Sequence, residues 1–157
     1  MVDDIKFITD ASLGKLAKWL RLLGYDTVVF SKQAGREMLR LADAEGRIVL
    51  TRRNDMLTRQ FSGRLYLVEG TEVARQLNEV IVKLSLKINK QEVFTRCLVC
   101  NEKLVAITRE EVRNLVPPFV FETSSSYNRC PNCCKIYWTG THQRNALQYL
   151  EQNILSK

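Results

Sequence analysis

Two pairs of cysteines, each with two residues between its members, constrain the last third of this chain more than any other feature. They are Cys97 with Cys100 and Cys130 with Cys133. This spacing lets a tight turn direct two thiolates at one tetrahedral metal ion, and two such turns complete the coordination. Four thiolates leave no open position for a substrate, so the pattern predicts a structural zinc site in a small zinc ribbon.

Disulfide bonds or a redox role are the alternatives for these cysteines. Nothing at the N-terminus resembles a secretory signal, and the fifth cysteine, Cys134, would remain unpaired. We expect Cys134 to be a bystander, since its exchange with Cys133 as a ligand would break the two-residue spacing. No apolar run approaches the roughly 18 residues of a membrane span. The sequence therefore predicts an intracellular, cytoplasmic protein with no membrane partner.

The first 90 residues alternate apolar strands with amphipathic helices, which is typical of an α/β domain with a parallel sheet and flanking helices. Strands are predicted at residues 5–9, 27–30, 48–51 and 65–68. Helices are predicted over 12–23, 37–45 and 72–84, with Gly24 and Gly46 ending the first two. Open parallel sheets bind ligands beyond the carboxyl ends of their strands, where Asp10 and residues 52–55 are expected.

The pattern changes after residue 90, which divides the chain into an α/β domain, 1–90, and a ribbon module, 91–157. A hairpin of residues 94–100 and 103–107 is predicted to carry the first cysteine pair. Thr108 and Glu111 form a capping box for a short helix that Pro117 and Pro118 are expected to end. A strand at 136–138 and a final helix reaching about residue 155 complete the module.

The charge balance favours a polyanionic partner. The formal net charge is +7 and the isoelectric point is about 9.3, a combination that suits phosphate contacts with release of counterions. The candidates for contacts with nucleic acid around the expected cleft are Lys15, Lys18, Arg21, Arg52, Arg53 and Arg59, for which an ordinary solvated surface is the alternative. His142, at the start of the last helix, is a further candidate, and its alternatives are packing at that helix start or a place in a different zinc site.

Four segments carry a resemblance to a known family. Residues 10–26, 48–52, 95–101 and 137–142 resemble the Mut-seven C-terminal RNase family. The resemblance implies a PIN-like nuclease domain followed by a zinc ribbon, with RNA as the partner. Members stand alone in prokaryotes or form the C-terminal region of eukaryotic proteins that resemble three-prime-to-five-prime exoribonucleases. An exonuclease domain in the same protein, or a protein scaffold, is therefore a further expected partner.

The resemblance also implies a carboxylate site for Mg²⁺ or Mn²⁺, because PIN-type nucleases activate water with such ions. Asp10 matches the first carboxylate of the family. The family has an aspartate after its Thr-Arg pair, but this chain has Arg53 there. Asp55 and Glu37 are the remaining candidate catalytic acids. The alternatives are that Asp10 only caps the first helix and that the other two are solvated surface acids.

Two main functions follow from this pattern. The first is an RNA-binding PIN-like and zinc-ribbon module in RNA processing or degradation, with a degenerate nuclease site and accessory to an exoribonuclease. The second is a divalent-metal-dependent ribonuclease that uses Asp10, Glu37 and Asp55. A protein-docking domain is a third hypothesis. Arg53 favours the first function, because it replaces a metal ligand by a cation.

Overall fold

Strands buried on both faces form the centre of the first half of the protein. The computed structural model describes residues 5–155, and it shows a four-stranded parallel sheet in the order β2-β1-β3-β4. The strands are β1 (Lys6–Asp10), β2 (Asp26–Phe30), β3 (Ile48–Thr51) and β4 (Leu65–Leu67). All of β3 and all of β1 after its first residue are buried, as expected for parallel strands covered on both sides. The predicted α/β class and parallel sheet are confirmed.

Three helices cover the two faces of this sheet. They are α1 (Gly14–Leu22), α2 (Arg36–Glu45) and α3 (Val73–Lys83). On one face, α1 and α3 pack their leucines against Phe7 of β1. On the other face, Met38 of α2 packs against Ile8 and Val49. The apolar periodicity of the helices thus produces a three-layer arrangement, in which the sheet lies between α1 and α3 on one face and α2 on the other.

The second part contains a separate antiparallel sheet in the order β5-β6-β7. Its strands are β5 (Val105–Ile107), β6 (Tyr127–Arg129) and β7 (Ile136–Trp138), and α4 (Pro118–Thr123) lies between β5 and β6. Val112, Val116 and Tyr127 form its small core. A core of this size needs a further source of stability, as small metal-binding modules generally do.

Two local predictions for this part need correction. The expected hairpin between residues 94–100 and 103–107 is present but short: Arg96 and Lys103 form one antiparallel bridge, and the N–H groups of Cys97 and Leu104 donate to the carbonyls of Glu102 and Thr95. Pro118 begins α4 instead of ending a helix, because proline fits the first turn, where its missing N–H is not needed. The capping box at Thr108 exists but opens only one short 3₁₀ turn.

The last helix returns to the first core. Helix α5 (Thr141–Leu150) continues as a π-helical turn, Glu151–Leu155, and Leu150 and Ile154 are buried in the same cluster as Phe7. The ring of Tyr149 stacks on Trp19 of α1, with 4.7 Å between ring centroids. The division at residue 90 remains a prediction, but the hydrophobic core does not follow it.

No helix within residues 5–155 combines the length and the hydropathy of a membrane-spanning segment.

Leu150→Ala should destabilise the α/β core, because it removes a fully buried side chain and leaves a cavity between α5 and the sheet-covering helices. We expect a loss of about 2–5 kcal/mol in the free energy of unfolding, measured by urea denaturation. Leu147→Ala, one turn earlier and 40% exposed, is the matched control and should cost less than about 1 kcal/mol. Equal effects of the two variants would show that α5 does not belong to this core.

Candidate metal centre and candidate active site

The structure brings the four predicted metal ligands together. The sulfur atoms of Cys97, Cys100, Cys130 and Cys133 all lie within 4.8 Å of one another. None of them is in a disulfide bond, and Sγ of Cys97 and Sγ of Cys133 are 3.8 Å apart. A tetrahedral ion bound at about 2.3 Å from each thiolate fits a cluster of this size. The cluster could therefore bind a metal such as zinc.

Both cysteine turns have the same backbone geometry. The N–H of Asn101 donates to the carbonyl of Cys97 at 2.9 Å, and the N–H of Cys134 donates to the carbonyl of Cys130 at 3.0 Å. Asn101 and Cys134 each have a φ of +68°, a left-handed conformation that asparagine adopts more readily than cysteine. Cys134 is exposed and its sulfur is outside the cluster. The left-handed backbone conformation of Cys134 closes the second cysteine turn.

Hydrogen bonds prepare Cys97 to act as a thiolate. The Tyr137 hydroxyl lies 3.2 Å from its sulfur, and the N–H of Cys100 donates to the same atom at 3.3 Å. Burial raises the pKa of Cys97, but these bonds and one from the N–H of Val99 outweigh it and lower the pKa to about 7. The N–H of Leu98 also donates to the Tyr137 hydroxyl, at 3.1 Å. Tyr137 therefore supports the first cysteine turn.

Arg21 is not part of an exposed basic surface, which corrects the expectation from the sequence. Its side chain is 9% exposed, and Nε donates to the carbonyl of Thr27 at 2.9 Å. Nη1 donates to the carbonyl of Leu98, between the first two cysteines, at 2.8 Å. A guanidinium group supplies several donors in one plane, so it can satisfy buried carbonyls of both parts at once. Arg21 thus joins α1, β2 and the first cysteine turn.

Asn101 completes this junction between the two parts. Its Oδ1 accepts from the N–H of Thr27 at 2.9 Å, and its Nδ2 donates to Oδ1 of Asp26 at 2.6 Å. Nη1 of Arg47 donates to the same carboxylate oxygen at 2.8 Å. Burial raises the pKa of Asp26, but the hydrogen bonds from Arg47 and Asn101 lower it by more. The pKa therefore lies below its usual value. The first cysteine turn is thereby fixed to the edge strand β2.

Asp10 has all of its acceptor capacity occupied by its own chain. Its Oδ1 accepts from the N–H and the hydroxyl of Ser12, and its Oδ2 accepts from the Thr51 hydroxyl at 2.7 Å and the Arg52 N–H at 3.0 Å. The residue is only 5% exposed. Burial raises the pKa of Asp10, but these hydrogen bonds outweigh it and lower the pKa below its usual value. The carboxylate caps the turn before α1 and clamps it to the end of β3.

The other two candidate acids bind cationic side chains, and among the described residues they form no common ligand cluster with Asp10. Asp55 receives two hydrogen bonds from the guanidinium of Arg53, both at 3.1 Å. Glu37 is exposed and lies 3.7 Å from Nζ of Lys32. Within residues 5–155, the four cysteines form the one group of three or more possible ligands that could share a metal ion. The structure does not assemble Asp10, Glu37 and Asp55 into such a group.

The remaining basic candidates are distributed over several elements. Lys15 and Lys18 are exposed on α1, and His142 is exposed in the first turn of α5. Nη1 of Arg52 donates to the carbonyl of Gly70, which restrains its guanidinium. The sequence does not show which of these side chains share a surface, because that depends on how the loops fold back on the sheet.

Arg59 lies at a cavity that the sequence analysis did not identify. The cavity has a volume of about 780 Å³, and Arg36 and Arg40 of α2 line it as well. The spacing of these two arginines, one helical turn apart, was the available signal for a shared basic face. We call this feature the arginine cavity.

The comparison with protein families agrees with the fold. Residues 5–150 match the model of the Mut7-C RNAse domain. The chain belongs to this family. The match covers both the parallel sheet and the cysteine cluster, and it connects the Mut7-C domain to RNA processing or degradation. Neither a curated protein nor a solved structure gives a significant match.

The cysteine cluster predicts one bound metal ion per chain. Native protein analysed by inductively coupled plasma mass spectrometry should contain about one zinc, because four thiolates form a complete tetrahedral site. Cys97→Ser should lose most of the metal, whereas Cys134→Ser, an exposed neighbour outside the cluster, should retain it. Equal metal content in both variants, or a disulfide among the four cysteines, would contradict this assignment.

Asp10→Asn should destabilise the protein, because an amide nitrogen would face groups that donate hydrogen bonds. We expect a loss of about 1–3 kcal/mol at neutral pH, measured by urea denaturation. The lowered pKa of Asp10 means that its stabilisation is complete above the unfolded-state pKa of about 3.9 and is lost as the pH falls through the folded-state pKa. The difference between the two proteins should therefore shrink below about pH 4.

The exposed Glu37→Gln is the control for this experiment and should change the stability by less than about 0.5 kcal/mol. An Asp10→Asn protein as stable as the unmodified chain at pH 7 would contradict the role of Asp10 as a structural clamp.

Proposed function

We propose that this Mut7-C domain binds RNA without cleaving it and serves RNA processing or degradation beside an exoribonuclease. The observation that carries the proposal is the saturated carboxylate of Asp10, whose two oxygens accept four hydrogen bonds from Ser12, Thr51 and Arg52. A divalent ion would have to displace these donors. The protein thus retains the fold of a nuclease domain around an acid that has a structural task.

The charges next to Asp10 also disfavour a divalent ion. Mg²⁺ requires oxygen ligands in near-octahedral geometry, usually including more than one carboxylate or phosphate group. Asp55 is neutralised by Arg53, which occupies the position where the family has an acid. A guanidinium at a metal site repels the ion, and this repulsion is stronger in a partly desolvated cleft than in water.

Zinc has a structural role in this proposal. The four thiolates would fill its coordination shell and leave no position for water or substrate. Because Leu98 and Asn101 of the first turn bind Arg21 and Asp26, the metal would fix both the ribbon and its attachment to the sheet. Metal binding contributes folding free energy to small modules of this type.

RNA binding would depend mainly on charge. The net charge of +7 favours contacts with phosphates, which are sensitive to salt and largely independent of sequence. Lys15, Lys18, Arg52, Arg59 and His142 remain exposed candidates for these contacts. Arg21 is withdrawn from this set because it is buried. Arg53 contributes less than a free cation, because Asp55 balances its charge.

A metal-dependent ribonuclease is the second candidate function. The family description as an RNAse domain favours it, as does the place of Asp10 at the carboxyl end of a central parallel strand. In that case Mg²⁺ or Mn²⁺ would be held by Asp10 together with Glu37 or Asp55 after a rearrangement of their loops. An exonuclease domain in the same protein would be needed only for the first function.

Incubation with labelled single-stranded RNA distinguishes the two functions. We expect the isolated chain to bind the RNA, with affinity falling steeply between 50 and 200 mM salt, and to leave it intact in Mg²⁺ or Mn²⁺. Denaturing gels measure cleavage and fluorescence anisotropy measures binding on the same samples. Asp10→Asn should bind with nearly unchanged affinity at a temperature where it remains folded.

Cleavage by the unmodified chain that Asp10→Asn abolishes while RNA binding persists would reject the accessory role and establish the nuclease. Glu122→Gln serves as the control in this comparison, because it removes an exposed carboxylate of α4 that is a candidate ligand in neither function.

A further inference from the structure

The arginine cavity lies between α2 and the connection from β3 to β4, and neither Asp10 nor the cysteine cluster lines it. Its volume of about 780 Å³ falls within the range of roughly 300–1,000 Å³ that is usual for ligand pockets. Besides its three arginines, the carboxylate of Asp43 and the ring of Phe61 line the wall. The cavity is therefore strongly cationic beside one aromatic surface.

The arginines of the cavity have no ion-pair or hydrogen-bond partner in the part of the chain that the structure describes. No hydrogen bond or ion pair engages the side chains of Arg36, Arg40 or Arg59 within residues 5–155. By contrast, Arg47 and Arg113 each bind a carboxylate. Three guanidinium groups that face one space repel one another, and one aspartate offsets only part of this charge. An anion entering the cavity would relieve the repulsion.

The backbone of α2 adds to the positive potential. Arg36 and Arg40 lie one turn apart on the same helical face, a spacing of like charges that disfavours an isolated helix. Gly35 precedes α2 as its N-cap residue and provides no side-chain hydrogen bond. The first N–H groups of the helix therefore keep their partial positive charge. A Cβ atom on Gly35 would lie 3.6 Å from Nη2 of Arg59. The third guanidinium thus sits against the positive end of the helix.

Phe61 gives the cavity a surface that simple anion sites lack. Its side chain is half-buried and packs at the edge of the α2 core, so the ring is held in place while one part remains open to the cavity. Single-stranded RNA is typically recognised by aromatic rings that stack with bases and by arginines that bind the neighbouring phosphates.

We propose that the arginine cavity binds one nucleotide unit of single-stranded RNA, with the phosphate among the three arginines and the base against Phe61. This inference rests on the proposed RNA-binding function and names the surface that performs it. The cavity would therefore set where the RNA strand crosses the domain, on the side of α2 and away from the cysteine cluster.

A charge-matched comparison tests this assignment. The test variant is Arg36→Gln/Arg40→Gln/Arg59→Gln. The control removes the same charge from three exposed lysines at and beyond the end of α3: Lys83→Gln/Lys87→Gln/Lys90→Gln. Binding is measured by fluorescence anisotropy of a labelled ten-residue oligouridylate between 50 and 200 mM potassium chloride. We expect about tenfold or greater loss of affinity and a salt slope reduced by about one to two units for the test variant, against about twofold loss for the control.

Two single variants should move the affinity in opposite directions. Asp43→Asn removes a carboxylate that lines the cavity and should strengthen binding by about two- to fivefold, since less negative charge opposes the phosphate. Phe61→Leu keeps an apolar side chain but loses stacking, and should weaken binding about fivefold without changing the salt slope. Thermal unfolding of each variant verifies that the fold is retained.

The outcomes separate this inference from the function on which it rests. If the unmodified chain binds no RNA, both fail. If it binds RNA and the two triple variants lose affinity equally, RNA binding stands and the arginine cavity is not its site. Displacement of the RNA by polyglutamate as effectively as by unlabelled oligouridylate would overturn the nucleotide assignment and indicate an acidic protein segment.

Discussion

A single buried carboxylate connects the carboxyl ends of two parallel strands, the end of the sheet at which proteins of this architecture bind their ligands. Asp10 ends β1, and its four hydrogen bonds connect that strand to the turn before α1 and to the end of β3. Four donors stabilise this carboxylate as an anion, and their hydrogen bonds hold its pKa below the usual value. The same contacts that stabilise the fold reduce the freedom of Asp10 to bind an ion.

A second polar network joins the two parts of the protein. Arg21 and Asn101 connect α1 and β2 with the first cysteine turn through buried hydrogen bonds, and Arg47 secures Asp26 from the other side. Removing one member would leave buried polar atoms unsatisfied, which costs more than the bond itself contributes. Buried hydrogen bonds therefore hold the cysteine cluster against the sheet. The packing of α5 on the first core adds a second contact between the two parts.

The sequence predicted the parallel sheet, its flanking helices and the cysteine cluster, because each depends on periodicity or on spacing along the chain. It did not predict the burial of Arg21. In α1 alone, Arg21 lies one turn from the exposed Lys18, and its burial depends on contact with the first cysteine turn. The return of α5 to the core and the arginine cavity were missed for the same reason. Both arise from contacts between segments that are distant in sequence, which local patterns do not record.

Paramagnetic broadening by Mn²⁺ tests most directly whether Asp10 is a structural clamp and not a metal ligand. In two-dimensional NMR spectra of the protein, the amide signals of Ser12 and Arg52, both bonded to Asp10, report on an ion at that carboxylate. Because the donors around Asp10 leave no place for an ion, we expect these signals to keep their intensity at Mn²⁺ concentrations equal to that of the protein. Selective loss of both signals in the unmodified chain, but not in Asp10→Asn, would contradict it.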